Sequence, residues 1–151
     1  MGDKIRFVRL AIVLLLITFI GRLVMGAQGA SYEATNRIFS MVILQVHLAL
    51  LFGVFAKAHR GYGIFGAMTV GLLIGLTSQI LIVAGTAGSY IMNVQTHFTD
   101  PVALNVTAPV GFSEAMKIRA QGLAVNCLIS AVAAAIGCGL AFLVPDPGQE
   151  H

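Results

Sequence analysis

The sequence predicts an all-α fold, an integral membrane four-helix transmembrane bundle, on three observations. Of its 151 residues, 58% are hydrophobic and only 10% are charged, against roughly 25% charged in soluble domains. A chain so poor in charge has no polar skin to offer water, so its outer surface is expected to face lipid. The apolar residues also gather into four runs, each close to the roughly 20 residues that an α-helix needs to cross a bilayer. Finally, none of these runs alternates as a barrel strand does, and open sheet edges leave backbone groups unsatisfied in lipid.

The first span is expected at about residues 7–27, its apolar stretch interrupted by Arg22. Lys4, Arg6 and Arg9 before it resemble the basic start of a signal peptide. The run from Ala11 to Ala27 is long enough to span, however, and three more follow, so it is read as a retained helix. A Gly- and Ala-rich linker leads to the second span, about 38–57, which ends in the basic turn Lys57-Ala58-His59-Arg60. The third is expected at about 63–90. The longest connection, 93–114, carries Asp100, Pro101, Pro109 and the tripeptide Asn105-Val106-Thr107, which matches a glycosylation site but is common by chance. The fourth span, about 115–144, is closed by Pro145 and Pro147. Residues 1–151 are thus expected to form a single membrane domain.

The formal net charge of +3 does not point to nucleic acid, because the basic residues are scattered at the ends of the apolar runs. In a membrane protein that placement is an orientation signal. Lys4, Arg6, Arg9, Lys57 and Arg60 fall on one side and Arg37, Lys117 and Arg119 on the other. This bias favours both termini inside, in the plasma membrane if the source is prokaryotic.

Small residues recur every four positions at Ala67, Gly71 and Gly75 in the third span and at Ala131, Ala135 and Gly139 in the fourth. Residues four apart share a helix face, and small ones let two backbones approach closely, which drives association in lipid. Such faces build either a tight bundle or an interface; contact with other membrane subunits through them is the expected partnership.

Polar side chains at membrane depth are the candidate site. His47 lies near the centre of the second span, with Gln45 beside it. Gln79 follows Thr77 and Ser78 in the third span, Asn126 lies in the fourth, and Arg22 in the outer half of the first. Alternating helix directions bring Arg22, Gln45, Gln79 and Asn126 to one depth, and His47, Arg22, Gln79 and Asn126 are expected to face one another across the bundle, either binding a cofactor or forming only a hydrogen-bond network. Arg22 is the costliest, at roughly 2.5 to 3.5 kcal/mol if central. It needs an acceptor such as Glu33, an amide oxygen or a ligand carboxylate, or else snorkels to the headgroups. His47 is either a hydrogen-bonded buried imidazole or a ligand to haem. His59 is too far along its helix from His47 to share a site, at about 18 Å. His97 near Asp100 supplies two ligand types at most, short of a metal site.

Cys127 and Cys138, eleven positions apart on one helix, are about 16 Å apart and cannot pair with each other. The chain shows no nucleophile constellation, phosphate-binding Gly-rich loop or membrane-embedded carboxylate. The sequence therefore argues against an enzyme, and against a proton pump in particular.

Three segments together resemble one half of a haem A synthase. Ile20-Gly21-Arg22-Leu23 with Gly29-Ala30-Ser31 is similar to that family's exit from its first helix. Val46-His47-Leu48-Ala49-Leu50 resembles its His-containing helix, a piece also similar to the prokaryotic cytochrome b561 families. Ser78-Gln79-Ile80-Leu81 and Ala84-Gly85-Thr86-Ala87-Gly88 look like its Gln- and Gly-containing helix. The resemblance implies a four-helix unit with haem as cofactor, His47 as an axial ligand and Arg22 near a propionate. Leu44 and Ala120 stand where the family has a glutamate and a fourth-helix histidine, and its loop cysteines are absent, so the reaction is not implied. Two functions are therefore expected from the sequence: a non-catalytic accessory subunit of a larger, respiratory or redox, membrane complex, and a haem-binding protein of haem A synthase or cytochrome b type. A small channel or transporter is the third and least supported.

Overall fold

In the computed structural model, residues 2–143 are described and contain helices but no strand. The end of the fourth predicted span at Val144, and the closing Pro145 and Pro147, lie outside the described residues. The elements are α1 (Gly2–Phe7), α2 (Arg9–Ala27), α3 (Tyr32–Ile38), α4 (Met41–Arg60), α5 (Ile64–Ile91) and α6 (Phe112–Leu140), with short 3-10 turns at Val102–Leu104 and Ala141–Leu143. Four segments, Arg9–Ala27, Tyr32–Arg60, Ile64–Ile91 and Phe112–Leu143, are long and apolar enough to cross a membrane. The class that this architecture defines is a multi-pass, all-α membrane protein.

The boundaries depart from the expected ones where local chemistry interrupts a run. A turn at Val8 separates α1 from α2. Ser31 accepts a hydrogen bond from the Ala34 amide and starts α3, so the approach to the second span is a helix of its own. Gly61 ends α4 with φ +62°, a left-handed conformation that costs glycine little, and its amide and the next one satisfy the carbonyls of Lys57 and Ala56.

The helices differ in how much they bury. α5 buries Ala67, Val70, Gly71, Ile74, Gly75, Ser78, Gln79, Ile82, Gly85, Thr86 and Ser89, at steps of three and four that track one continuous stripe. It packs most closely on α6, and α4 packs on both, giving a tight three-helix unit. α2 touches α4 and α5 from the other side and buries only Ala11, Leu15, Thr18 and Arg22. Its Leu10, Val13, Leu16, Ile17, Ile20 and Val24 point outward, an arrangement suited to lipid and not to water.

Glycine sets the spacing of the three-helix unit. A methyl group on Gly53 would run into the backbone of Ala134, one on Gly71 into the backbone of Ser130, and one on Gly137 into the backbone of Leu50. These contacts revise the expected partner surface. Ala67, Gly71, Gly75 and Ala131 are consumed inside the chain, Ala135 is half-buried, and of the two stripes only Gly139 is exposed with open space around it. Lipid offers no hydrophobic drive between helices, so close backbone approach is the available adhesive.

Gly137→Val should therefore separate α4 from α6 and cost about 1–3 kcal/mol by overpacking. Gly139→Val, two positions on, should leave stability, read from thermal unfolding in detergent, unchanged within about 0.5 kcal/mol.

Candidate functional site

Polar side chains at depth form two tiers. The first is central. Gln45 on α4 is fully buried; its Nε2 donates to the Ser130 hydroxyl (2.7 Å) and to the Asn126 carbonyl (3.0 Å), both on α6. Its Oε1 accepts from Gln79 Nε2 on α5 at 2.9 Å. Ser130 Oγ in turn donates to the Asn126 carbonyl at 2.9 Å. One amide thus ties three helices together. Beside it, the buried hydroxyl of Ser78 has no partner among the described residues.

Of the predicted cluster, Gln79 and Gln45 do meet, but Asn126 joins through its backbone carbonyl while its side chain stays half-buried. His47 does not join. It lies on the outward stripe of α4 with Val42, Ile43 and Leu51, and is exposed. Gln45 and His47 are two positions apart, about 200° around a helix, so burying one turns the other out. The His47 Nδ1 is 2.8 Å from the Ile43 carbonyl. A carbonyl only accepts, so this nitrogen carries a proton, and the neutral tautomer keeps its lone pair on Nε2.

The second tier lies at the end of the bundle that carries the 92–111 connection, and Arg22 belongs to it instead of the central network. Arg22 is 6% exposed, and its Nη1 donates to Asn36 Oδ1 (3.1 Å) and to the Phe39 carbonyl (3.2 Å). Its guanidinium also lies 5.0 Å from the centre of the Tyr32 ring and 5.5 Å from that of Phe98, within range of cation–π attraction. Glu33, the carboxylate expected as its acceptor, is exposed on α3 and not paired with it.

Arg119, read from the sequence only as an orientation charge, is the functional residue that sequence reasoning missed. Its Nε donates to Thr86 Oγ1 (3.0 Å), Nη1 to the Ala103 carbonyl (3.2 Å) and Nη2 to the Phe98 carbonyl (2.7 Å). It thereby pins α6 to α5 and to the connection, whose Phe98 and Leu104 are buried. Arg119 is four residues after the fully buried Ala115 and so shares its inward face, but that burial is visible only in the structure.

Arg22 and Arg119 line a cleft of about 260 Å³ with Met41, Val42, Ile43, Ile82 and Phe98. A larger cleft of about 540 Å³ adjoins the connection and includes Tyr32, Tyr90, His97 and Asp100. Here His97 is buried, edge-on to Tyr32 at 5.9 Å, with Nε2 unpartnered among the described residues. Burial lowers its pKa from the ordinary value, and the charge of Arg22 lowers it further, against an opposing pull from Asp100. No group of three His, Cys, Asp or Glu among the described residues is arranged to hold a metal ion. Cys127 and Cys138 are both free thiols.

Comparison with family models, with curated proteins and with solved structures found no match for this chain.

Two outcomes test this geometry. Gln45→Leu strands the Gln79 amide and should lower stability by about 1–3 kcal/mol. The Gln45→Leu/Gln79→Leu pair should cost less than the two single changes added, because both ends leave together; thermal unfolding of all four proteins closes the cycle. For His97, the unfolded chain takes up a proton near pH 6.5 that the buried ring resists. Stability should therefore fall as pH drops from that value through the lowered folded-state pKa, and owe nothing to His97 above it. Melting temperatures at about pH 7.5 and about pH 5 should differ more in the wild type than in His97→Gln.

Proposed function

We propose that this chain is a non-catalytic accessory subunit of a larger membrane complex. The observation that carries the reading is His47: an ionisable side chain exposed on the outward stripe of α4, only ~5 Å from the helix midpoint. Intramembrane histidines normally face a bundle interior or a partner group, because lipid offers them no hydrogen bond. A neighbouring helix packed over His47 and Leu51 would supply the missing partner. The Gln45–Gln79–Ser130 network supports a scaffold too, since its hydrogen bonds join three helices and its residues line neither cleft described above.

A second reading, haem ligation, draws on the same residue. A neutral His47 with its Nδ1 proton on a carbonyl presents an unprotonated Nε2, the form that ligates a metal. Its outward position would put such a haem at an interface with another subunit, not inside this bundle.

Purification from native membranes with a photo-crosslinking residue at Leu51 separates these readings. An accessory subunit should yield a defined crosslinked partner, with Leu51 crosslinking strongly and the lipid-facing Ile17 of α2 weakly. A Soret absorption band in the purified chain that vanishes in His47→Ala would favour haem. A colourless chain, monodisperse alone and crosslinking to nothing, would count against both.

A further inference from the structure

The cleft between the start of α4 and the flank of α5 holds two guanidinium groups and no carboxylate. Among the described residues the sole ion pair is Lys117–Glu114 on the surface of α6, so neither Arg22 nor Arg119 is neutralised. The nearby acids are otherwise placed. Asp100 accepts from the Val102 amide and Glu33 is exposed. Arg119 spends all three nitrogens on neutral oxygens, which hold the group in place but leave its charge intact. Arg22, nineteen-twentieths buried or nearly so, uses only Nη1; its Nε and Nη2 have no partner among the described residues. Two like charges pressed into a low-dielectric wall repel one another unless an anion sits with them.

We propose that this cleft binds the phosphate of an anionic membrane phospholipid, clamped between Arg22 and Arg119. Guanidinium forks match phosphate oxygens in geometry and keep their charge at depth. The position fits a headgroup. Arg22 is five residues from the end of α2, about 7.5 Å inside it, and Arg119 is seven residues into α6, about 10 Å. The walls fit an acyl chain. Ile82 and Phe98 are buried behind the arginines, while Val42 (38% exposed) and Ile43 (57% exposed) form an apolar lip on the outer flank of α4. A free phosphate would use the arginines alone; the lip has a use only if the anion carries an apolar tail. Val42 and Ile43 lie at the end of the outward stripe that carries His47, so the lipid tail would cover that end and a partner helix the part around His47 and Leu51.

Native mass spectrometry and thermal shift of the full chain in detergent test the assignment, with phosphatidylglycerol, phosphatidylcholine and inorganic phosphate as separate probes. Phosphatidylglycerol should be retained and should raise the melting temperature at concentrations where phosphatidylcholine does neither. Arg119→Gln and Arg22→Gln should each weaken its retention about tenfold or more, through the loss of a positive charge beside the phosphate and, for Arg22, of the hydrogen bonds its free nitrogens would give. Ile43→Trp, which fills the lip from an exposed position and leaves both arginines in place, should weaken it likewise and does not depend on the arginine variants folding. Equal retention of the two lipids, or phosphatidylglycerol retention unchanged in Ile43→Trp, overturns the proposal. So does inorganic phosphate that stabilises the chain equally and displaces the lipid, which would make the site one for a soluble anion.

Discussion

Inside a bilayer a polar side chain has no water to fall back on, and the Gln45 amide meets that constraint for three helices at once. It gives two hydrogen bonds to α6 and takes one from α5. Satisfying it fixes the rotation of α4, and the rest follows from that rotation. Gly53 then faces Ala134, Leu48 and Phe52 enter the core with Leu15, Val70 and Ile74, and His47 is turned to the outside. Small residues and the amide act together: the glycines allow the backbones near enough for a glutamine to bridge them, and the glutamine fixes which faces meet.

The two polar tiers solve the same problem in different ways. The central one is neutral and short-range, and leaves the buried Ser78 hydroxyl without a partner among the described residues. The second is charged and held by neutral oxygens of backbone and side chains. Arg119 draws the 92–111 connection down over the helix ends, and Phe98 supplies both a carbonyl to Arg119 and a ring to Arg22. That connection ends its short turn at Asn105 in a left-handed conformation, φ +59°, which asparagine tolerates better than most residues. The result is a capped end with a residual positive charge, facing a tightly packed neutral middle.

Much of the fold was legible in the sequence because hydropathy reports the solvent directly. The spans expected at 38–57 and 63–90 lie within three residues of α4 and α5. Depth was legible as well, and Gln79 and Gln45 meet as their positions along the helices imply. Rotation was not. All four spanning helices are apolar on every side, so periodicity does not tell an inward from an outward face. That is why His47, central in depth, was placed with Gln79, and why Ala67 and Gly71 read as a surface for other subunits. Arg119 was obscured differently: a basic residue near a helix end is the ordinary mark of orientation, and its inward register with Ala115 shows only in the structure.

The partners of the two costly groups also differ in when they exist. Arg22 is satisfied by residues 14 and 17 positions later, Asn36 and Phe39, so the segment that immediately follows α2 relieves it. Gln45 must wait for Gln79, 34 positions on, and for Asn126 and Ser130, 81 and 85 positions on. As the chain emerges from a ribosome, the first helix can therefore settle early, and Gln79 can meet Gln45 once α5 is made, whereas the Gln45 Nε2 stays without its acceptors until α6 follows. In a nascent chain cut short before α6, the group that holds the finished product together is left unsatisfied in the membrane.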